Sequence, residues 1–152
     1  MSEFVPVSHV LLDCSAATVD DALKLISEQA VAFGLAEDAA AVCDAFKARE
    51  AEGTTGMMGG FAIPHAKSEA IKESGVIIVK FSGGVEWASM DGEPITCAIA
   101  LLTPASEAGT THLQLLSKVA VLLMDEHFRS GVQDAADAEK VAALVNEGLS
   151  AE

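Results

Sequence analysis

Two nearly uninterrupted apolar stretches, Val76 to Phe81 and Ile95 to Leu102, constrain this chain more than any other feature of it. Both are strand-length, and the first is rich in β-branched residues. Neither alternates apolar with polar residues, so each reads as a strand buried on both faces. Helices must supply the cover. Thr18-Val19-Asp20-Asp21 has the form of a helix start, with a hydroxyl cap and acids in the first turn. Ala22, Leu25, Ile26, Gln29, Ala30 and Phe33 follow near helical spacing, and Gly34 stops the helix. A second helix is predicted from about Glu37 to Ala51, carrying Ala39, Val42, Cys43 and Phe46, with Gly53 beyond its end. A third carries Leu113, Leu116, Val119, Ala120 and Leu123 after a cap at Thr111, three residues before Gln114. Asp125 to Phe128 reads as a break or a new short helix, and a last helix runs from about Ala138 to Glu147 between Asp137 and Gly148. Val10-Leu11-Leu12 is a short strand or extended lead-in. Ser68 to Lys72 reads as a short helical turn, Ser82-Gly83-Gly84 as a turn, and Val85-Glu86-Trp87 as a short returning strand. This order of elements implies an α/β sandwich.

The 152 residues, 51% of them hydrophobic, suit a single domain over residues 1–152 with enough apolar material for a core. Cys97 to Leu102 and Val119 to Met124 are core-sized runs, too short to span a bilayer. The first residues lack the basic region and apolar segment of a secretory signal, so a cytoplasmic location is expected. Cys14, Cys43 and Cys97 are odd in number and widely spaced, which suits reduced core thiols. A net charge of −14, from 23 acidic and 9 basic residues, excludes a phosphate-neutralising nucleic-acid surface and is compatible with a basic protein partner. Its larger role is to keep an alanine-rich apolar domain in solution.

The stretch from Gly56 to Lys67 is where chemistry is expected. Glycines loosen the backbone, Phe61 to Ile63 have the length of a buried strand, and Pro64 interrupts its hydrogen-bond ladder. His65 then emerges at the mouth, carried on a stiff stem. His112 lies in the first turn of the third helix, where unpartnered backbone N–H groups favour an anion. Of the other histidines, His9 near the terminus and His127 among acids are expected to be exposed. Arg49, in the last turns of the second helix, is either a solvated charge or an inward-turned anion holder. A neutral imidazole is a competent nucleophile toward phosphorus, and phosphoryl transfer asks mainly for positioning and donors to the oxygens. No Walker-type phosphate loop is present, which disfavours a nucleotide donor. Two histidines with Asp91, Glu69 or Glu107 form no recognised zinc spacing, and no Gly-x-Ser-x-Gly elbow exists; neither a metal nor a cofactor is expected.

These residues resemble the enzyme IIA domain of the fructose/mannitol class of the bacterial phosphoenolpyruvate-dependent sugar phosphotransferase system. That family's pattern is Arg-Glu, a Gly-Ser/Thr-Thr-Gly turn, then Gly-Ile-Ala-Ile-Pro-His. Here it reads Arg49-Glu50, Gly53-Thr54-Thr55-Gly56 and Gly60-Phe61-Ala62-Ile63-Pro64-His65. Asp91-Gly92-Glu93-Pro94-Ile95, His112 to Lys118 and Leu122 to Glu126 follow in the same order. Two positions depart: Gly59, where the family often has Asn, and Phe61 in place of Ile. The resemblance implies an α/β sandwich around a mixed β-sheet flanked by helices. It implies that His65 is phosphorylated by the carrier protein HPr and yields the phosphoryl group to a cysteine of a IIB component, with His112 and Arg49 in support. It leaves the sugar unspecified. The nitrogen-related regulatory IIA proteins resemble the same Pro-His region, so a signalling role stays open beside transport.

Overall fold

The computed structural model describes residues 5–107 and 110–150, and at positions 107 and 110–113 the backbone alone. Its middle layer is a mixed sheet of β1 (Val10–Cys14), β2 (Phe61–Ala62), β3 (His65–Ser68), β4 (Gly75–Val85) and β5 (Ile95–Pro104). β1 runs parallel to β4, and β4 antiparallel to β5. β2 and β3 both lie parallel to β5, one after the other along the same side of it, with Phe61 opposite Cys97 and His65 opposite Leu101. Pro64 separates the two segments, as expected of a residue with no N–H to give, yet its carbonyl still accepts from Leu101 N at 3.0 Å.

The absence of alternation in the central runs is explained by what lies on each side. Ile77, Val79, Ala98, Ala100 and Leu102 pack toward Leu23 and Ile26 of α1 (Val19–Ala32) and Phe46 of α2 (Ala39–Glu52). Val76, Ile78, Cys97, Ile99 and Leu101 face the opposite way. They meet Val119 and Leu123 at α3 (Thr110–Leu122), Val132 of α4 (Glu126–Asp134), and Val141, Val145 and Leu149 of α5 (Ala138–Ser150). The architecture is therefore the α/β sandwich that the sequence predicts. No helix among the described residues is long and apolar enough to cross a membrane.

The helix starts follow the expected chemistry. Thr18 Oγ1 accepts from Asp21 N at 3.2 Å, and Asp137 Oδ1 from Lys140 N at 2.7 Å. α2 is capped by Asp38, whose carboxylate accepts from Ala41 N, one residue beyond the expected start. α3 already includes Thr110 and Thr111, so Thr111 lies inside the helix instead of capping it. α5 runs through Gly148 to Ser150, with Gly148 set against the Leu122 side chain.

Two segments differ from the sequence reading. Ser82-Gly83-Gly84 is no turn: β4 continues through it with a register irregularity between Lys80 and Val85, and Val85 pairs with Ile95. Two adjacent glycines let the strand bend without ending, and Gly84 lies so close to Pro94 that a Cβ there would meet the ring at 2.7 Å. Residues 65–68, expected to pass from a loop into a helical turn, form β3, because β5 is long enough to pair with both edge segments. Cys43 and Cys97 are buried and Cys14 is half-buried, all three unbonded to one another. Burial pushes the Cys97 thiol up to about 12.

Candidate active site

His65 begins β3, at the edge of the sheet, and is 9% exposed. It is largely buried by its pairing opposite Leu101, which holds it in the sheet. Its Nδ1 lies 2.9 Å from the carbonyl oxygen of Ile63, and its Nε2 accepts from Arg49 Nε at 2.9 Å. A carbonyl can only accept and a guanidinium can only donate, so the two contacts assign the tautomer: Nδ1 carries the proton and Nε2 the lone pair. The imidazole's pKa is lowered from the usual 6.5, first by burial and further by the Arg49 charge, against the opposing pull of the Ile63 carbonyl, Glu50 and Glu52. The ring is therefore neutral near pH 7.

Arg49 does turn inward. α2 ends at Glu52, and Gly53, with φ of +155°, redirects the chain there. Arg49 Nη1 donates to Gly53 O at 2.8 Å while Nε serves His65, so the guanidinium is held between the residue that follows α2 and the imidazole of β3. The adjacent Glu50 points elsewhere. Its Oε1 accepts from Thr55 N at 3.1 Å and from Trp87 Nε1 at 3.4 Å, and its Oε2 accepts from the Thr55 hydroxyl. Thr55 O in turn accepts from Ile63 N at 3.0 Å. The loop carrying Thr55 is pinned to the segment after β4, with Thr54 Oγ1 donating to Ala88 O at 2.6 Å. Gly56 passes so close to that segment that a Cβ would stand 2.0 Å from Ala88 O.

An open depression of about 510 Å³ crosses the sheet edge, bordered by Ala45, Ala48, Arg49 and Glu52 of α2, His65 and Lys67 of β3, and Leu116 of α3. Lys67 falls two residues after His65 and so shares its face of the strand. Reading residues 65–68 as a strand would have found it. The side chain of His112 lies outside the described residues. Its backbone is in the first turn of α3, the helix that also carries Leu116. His127 is exposed as expected, but His9 is half-buried, stacked on Phe33 at 4.4 Å with Nδ1 against Val76 O. Among the described residues no group of three or more His, Cys, Asp or Glu is placed to hold a metal.

The two departures from the family pattern also find their places. Gly59 has φ of +70°, and a Cβ there would meet Arg129 Cδ and Nε at 2.8 Å; the Arg129 side chain fills the space a larger residue would need. Phe61 is fully buried in the core shared with Val119 and Val132.

A Haloferax volcanii protein described as a fructose-specific EIIA component is 32% identical over 147 residues, covering 97% of this chain and 95% of that one. A nitrogen regulatory protein of Bradyrhizobium diazoefficiens is 30% identical over 132 residues, covering 82% and 86%. The crystal structure of the nitrogen regulatory protein IIA-Ntr from Neisseria meningitidis superposes with a TM-score of 0.87 at 27% identity, covering 94% of this chain and 97% of that one. The family model for the phosphoenolpyruvate-dependent sugar phosphotransferase system, EIIA 2, matches residues 3–148. With its fold, its Arg49–His65 pair and this match over nearly its whole length, the chain belongs to the EIIA 2 family of that system, the fructose/mannitol class.

Proposed function

We propose that the chain is a phosphocarrier: His65 Nε2 takes a phosphoryl group from the phosphorylated carrier protein HPr and yields it to a cysteine thiolate of a IIB component, with Arg49 and His112 in support. The state of the imidazole carries this reading. It is held neutral and as one tautomer, with the lone pair on the nitrogen that meets Arg49, and both residues border the depression. In the first step the Nε2 lone pair forms the N–P bond as the bond from phosphorus to the donor breaks, its electron pair leaving with the donor. The Nδ1 proton stays in place, and its bond to Ile63 O stabilises the positive charge that develops on the ring. Arg49 gives up its bond to the lone pair and donates to the phosphoryl oxygens. In the second step a thiolate attacks phosphorus from outside, and the N–P electron pair returns to Nε2.

A second reading is supported by the relatedness to the nitrogen regulatory proteins: the same phosphorylation would govern binding of a target protein. Incubation with phosphoenolpyruvate, enzyme I and HPr, followed by mapping of the acid-labile label, tests the shared chemistry. The label is expected on His65 and absent from His65→Ala; labelling of that variant would overturn the assignment. Onward transfer to a IIB component then separates transport from signalling.

A further inference from the structure

We propose that Glu50 is a positioning residue for His65, acting through a closed ring of hydrogen bonds. Starting at Glu50, the carboxylate accepts from the backbone N–H and the hydroxyl of Thr55; Thr55 O accepts from Ile63 N; Ile63 O accepts from His65 Nδ1; and His65 Nε2 accepts from Arg49, the residue before Glu50. The ring closes because Arg49 and Glu50 are consecutive on α2. Consecutive helical residues point about 100° apart, so one turn sends one arm to the imidazole and the other to the loop that aims the Ile63 carbonyl. One rigid body thereby sets both nitrogens of His65. If the Thr55 loop drifts, Ile63 O no longer faces Nδ1, and Arg49 alone is left to orient the imidazole.

Two further observations support this role. The Glu50 oxygens are taken by Thr55 and by Trp87, so the carboxylate does not draw its neighbour Arg49 into an ion pair, and the guanidinium is left to His65 and Gly53. Trp87 is 5% exposed and is the only tryptophan of the chain. Its indole N–H rests on Glu50 Oε1, so its emission reports the ring. Attachment of a phosphoryl group at Nε2 displaces Arg49 from the closing link, and the proposal predicts a Trp87 emission change on phosphorylation that Glu50→Ala abolishes.

The inference rests on the proposed phosphorylation of His65, and the test keeps the two apart. Nitrogen-15 and proton spectra of the full chain, recorded with no donor present, read the His65 Nδ1–H and its hydrogen bond to Ile63 O in wild type, Glu50→Gln and Glu50→Ala, with thermal unfolding as the check of folding. Wild type and Glu50→Gln, whose amide oxygen still accepts from Thr55 N, are expected to show a hydrogen-bonded, slowly exchanging Nδ1–H; in Glu50→Ala Arg49 still occupies Nε2, so the proton stays on Nδ1, but its resonance is expected to move upfield and exchange faster as the Ile63 O contact is lost. With enzyme I, HPr and phosphoenolpyruvate, Glu50→Ala is expected to be labelled about tenfold or more slowly, and Glu50→Gln at close to the wild-type rate. If Glu50→Ala does not fold, Glu50→Asp, which retracts the carboxylate by one methylene, takes its place with the same expected shift. A folded Glu50→Ala or Glu50→Asp protein with the wild-type Nδ1–H resonance overturns the positioning role. Wild-type protein that takes no label on His65 overturns the phosphocarrier reading instead, and leaves the spectroscopic result to stand or fall alone.

Discussion

The imidazole of His65 shows how burial and two hydrogen bonds select a reactive state. Because its pKa is lowered from 6.5 in the fold, the unfolded chain binds a proton in the interval below 6.5 that the native protein does not. Stability contributed by this group is complete above pH 6.5, falls as acid is added through that interval, and stops changing once the folded ring is protonated too. Chemical unfolding across this range should show the loss, and His65→Gln should flatten it. Arg49 makes a second prediction at this scale. A lysine cannot reproduce a planar fork that serves Nε2 and Gly53 O together, so Arg49→Lys should fold normally while rapid-quench labelling of His65 slows by about 10²-fold. His65 stood out in the sequence by its proline stem, whereas the place of Arg49 at a helix end left a solvated charge and an anion holder both open, and only the family resemblance paired it with His65. Glu50, Thr55 and Trp87 were not read as part of the site. Their contacts depend on a loop folding back onto α2 and on a segment from the far end of β4, neither of which periodicity reports.

Backbone carbonyls help to hold these elements together beside the apolar packing. Lys80 leaves β4 and donates to Val132 O, Gln133 O and Ala135 O at 2.8, 3.0 and 2.7 Å, placing its ammonium where the carbonyls of α4 run out of helical partners. Lys80→Met keeps the stem and leaves those carbonyls without the charge. It should lower stability by about 2 kcal/mol in urea unfolding, without changing the rate at which His65 is labelled. Two helix starts were legible because a cap is a local event, as Thr18 and Asp137 demonstrate; the Asp38 cap was not read, and Thr111 lies inside α3 instead of capping it. Strand limits were less so. Gly83 and Gly84 have the composition of a turn, and only the pairing of Val85 with Ile95, set by the partner strand, decides that the chain runs on. Residues 65–68 carry a similar ambiguity, resolved by the length of β5.

At the scale of the whole molecule, the sandwich followed from the continuous apolar runs, since a strand without a polar side needs cover on both. What those runs could not specify is which strands form the margin: β3 meets β5 across more than thirty residues of chain, and that pairing alone puts His65 at the border between the α2 layer and the α3 layer. The charge of −14 predicts that a basic partner is captured quickly in dilute buffer, and that the association rate, followed by stopped flow, drops by about tenfold or more as salt rises past physiological strength. The border position of His65 has a kinetic corollary for the proposed relay. A single berth on the rim must receive both visitors, so donor and recipient exclude each other, and a surplus of spent donor should throttle delivery to the recipient by occupying the berth.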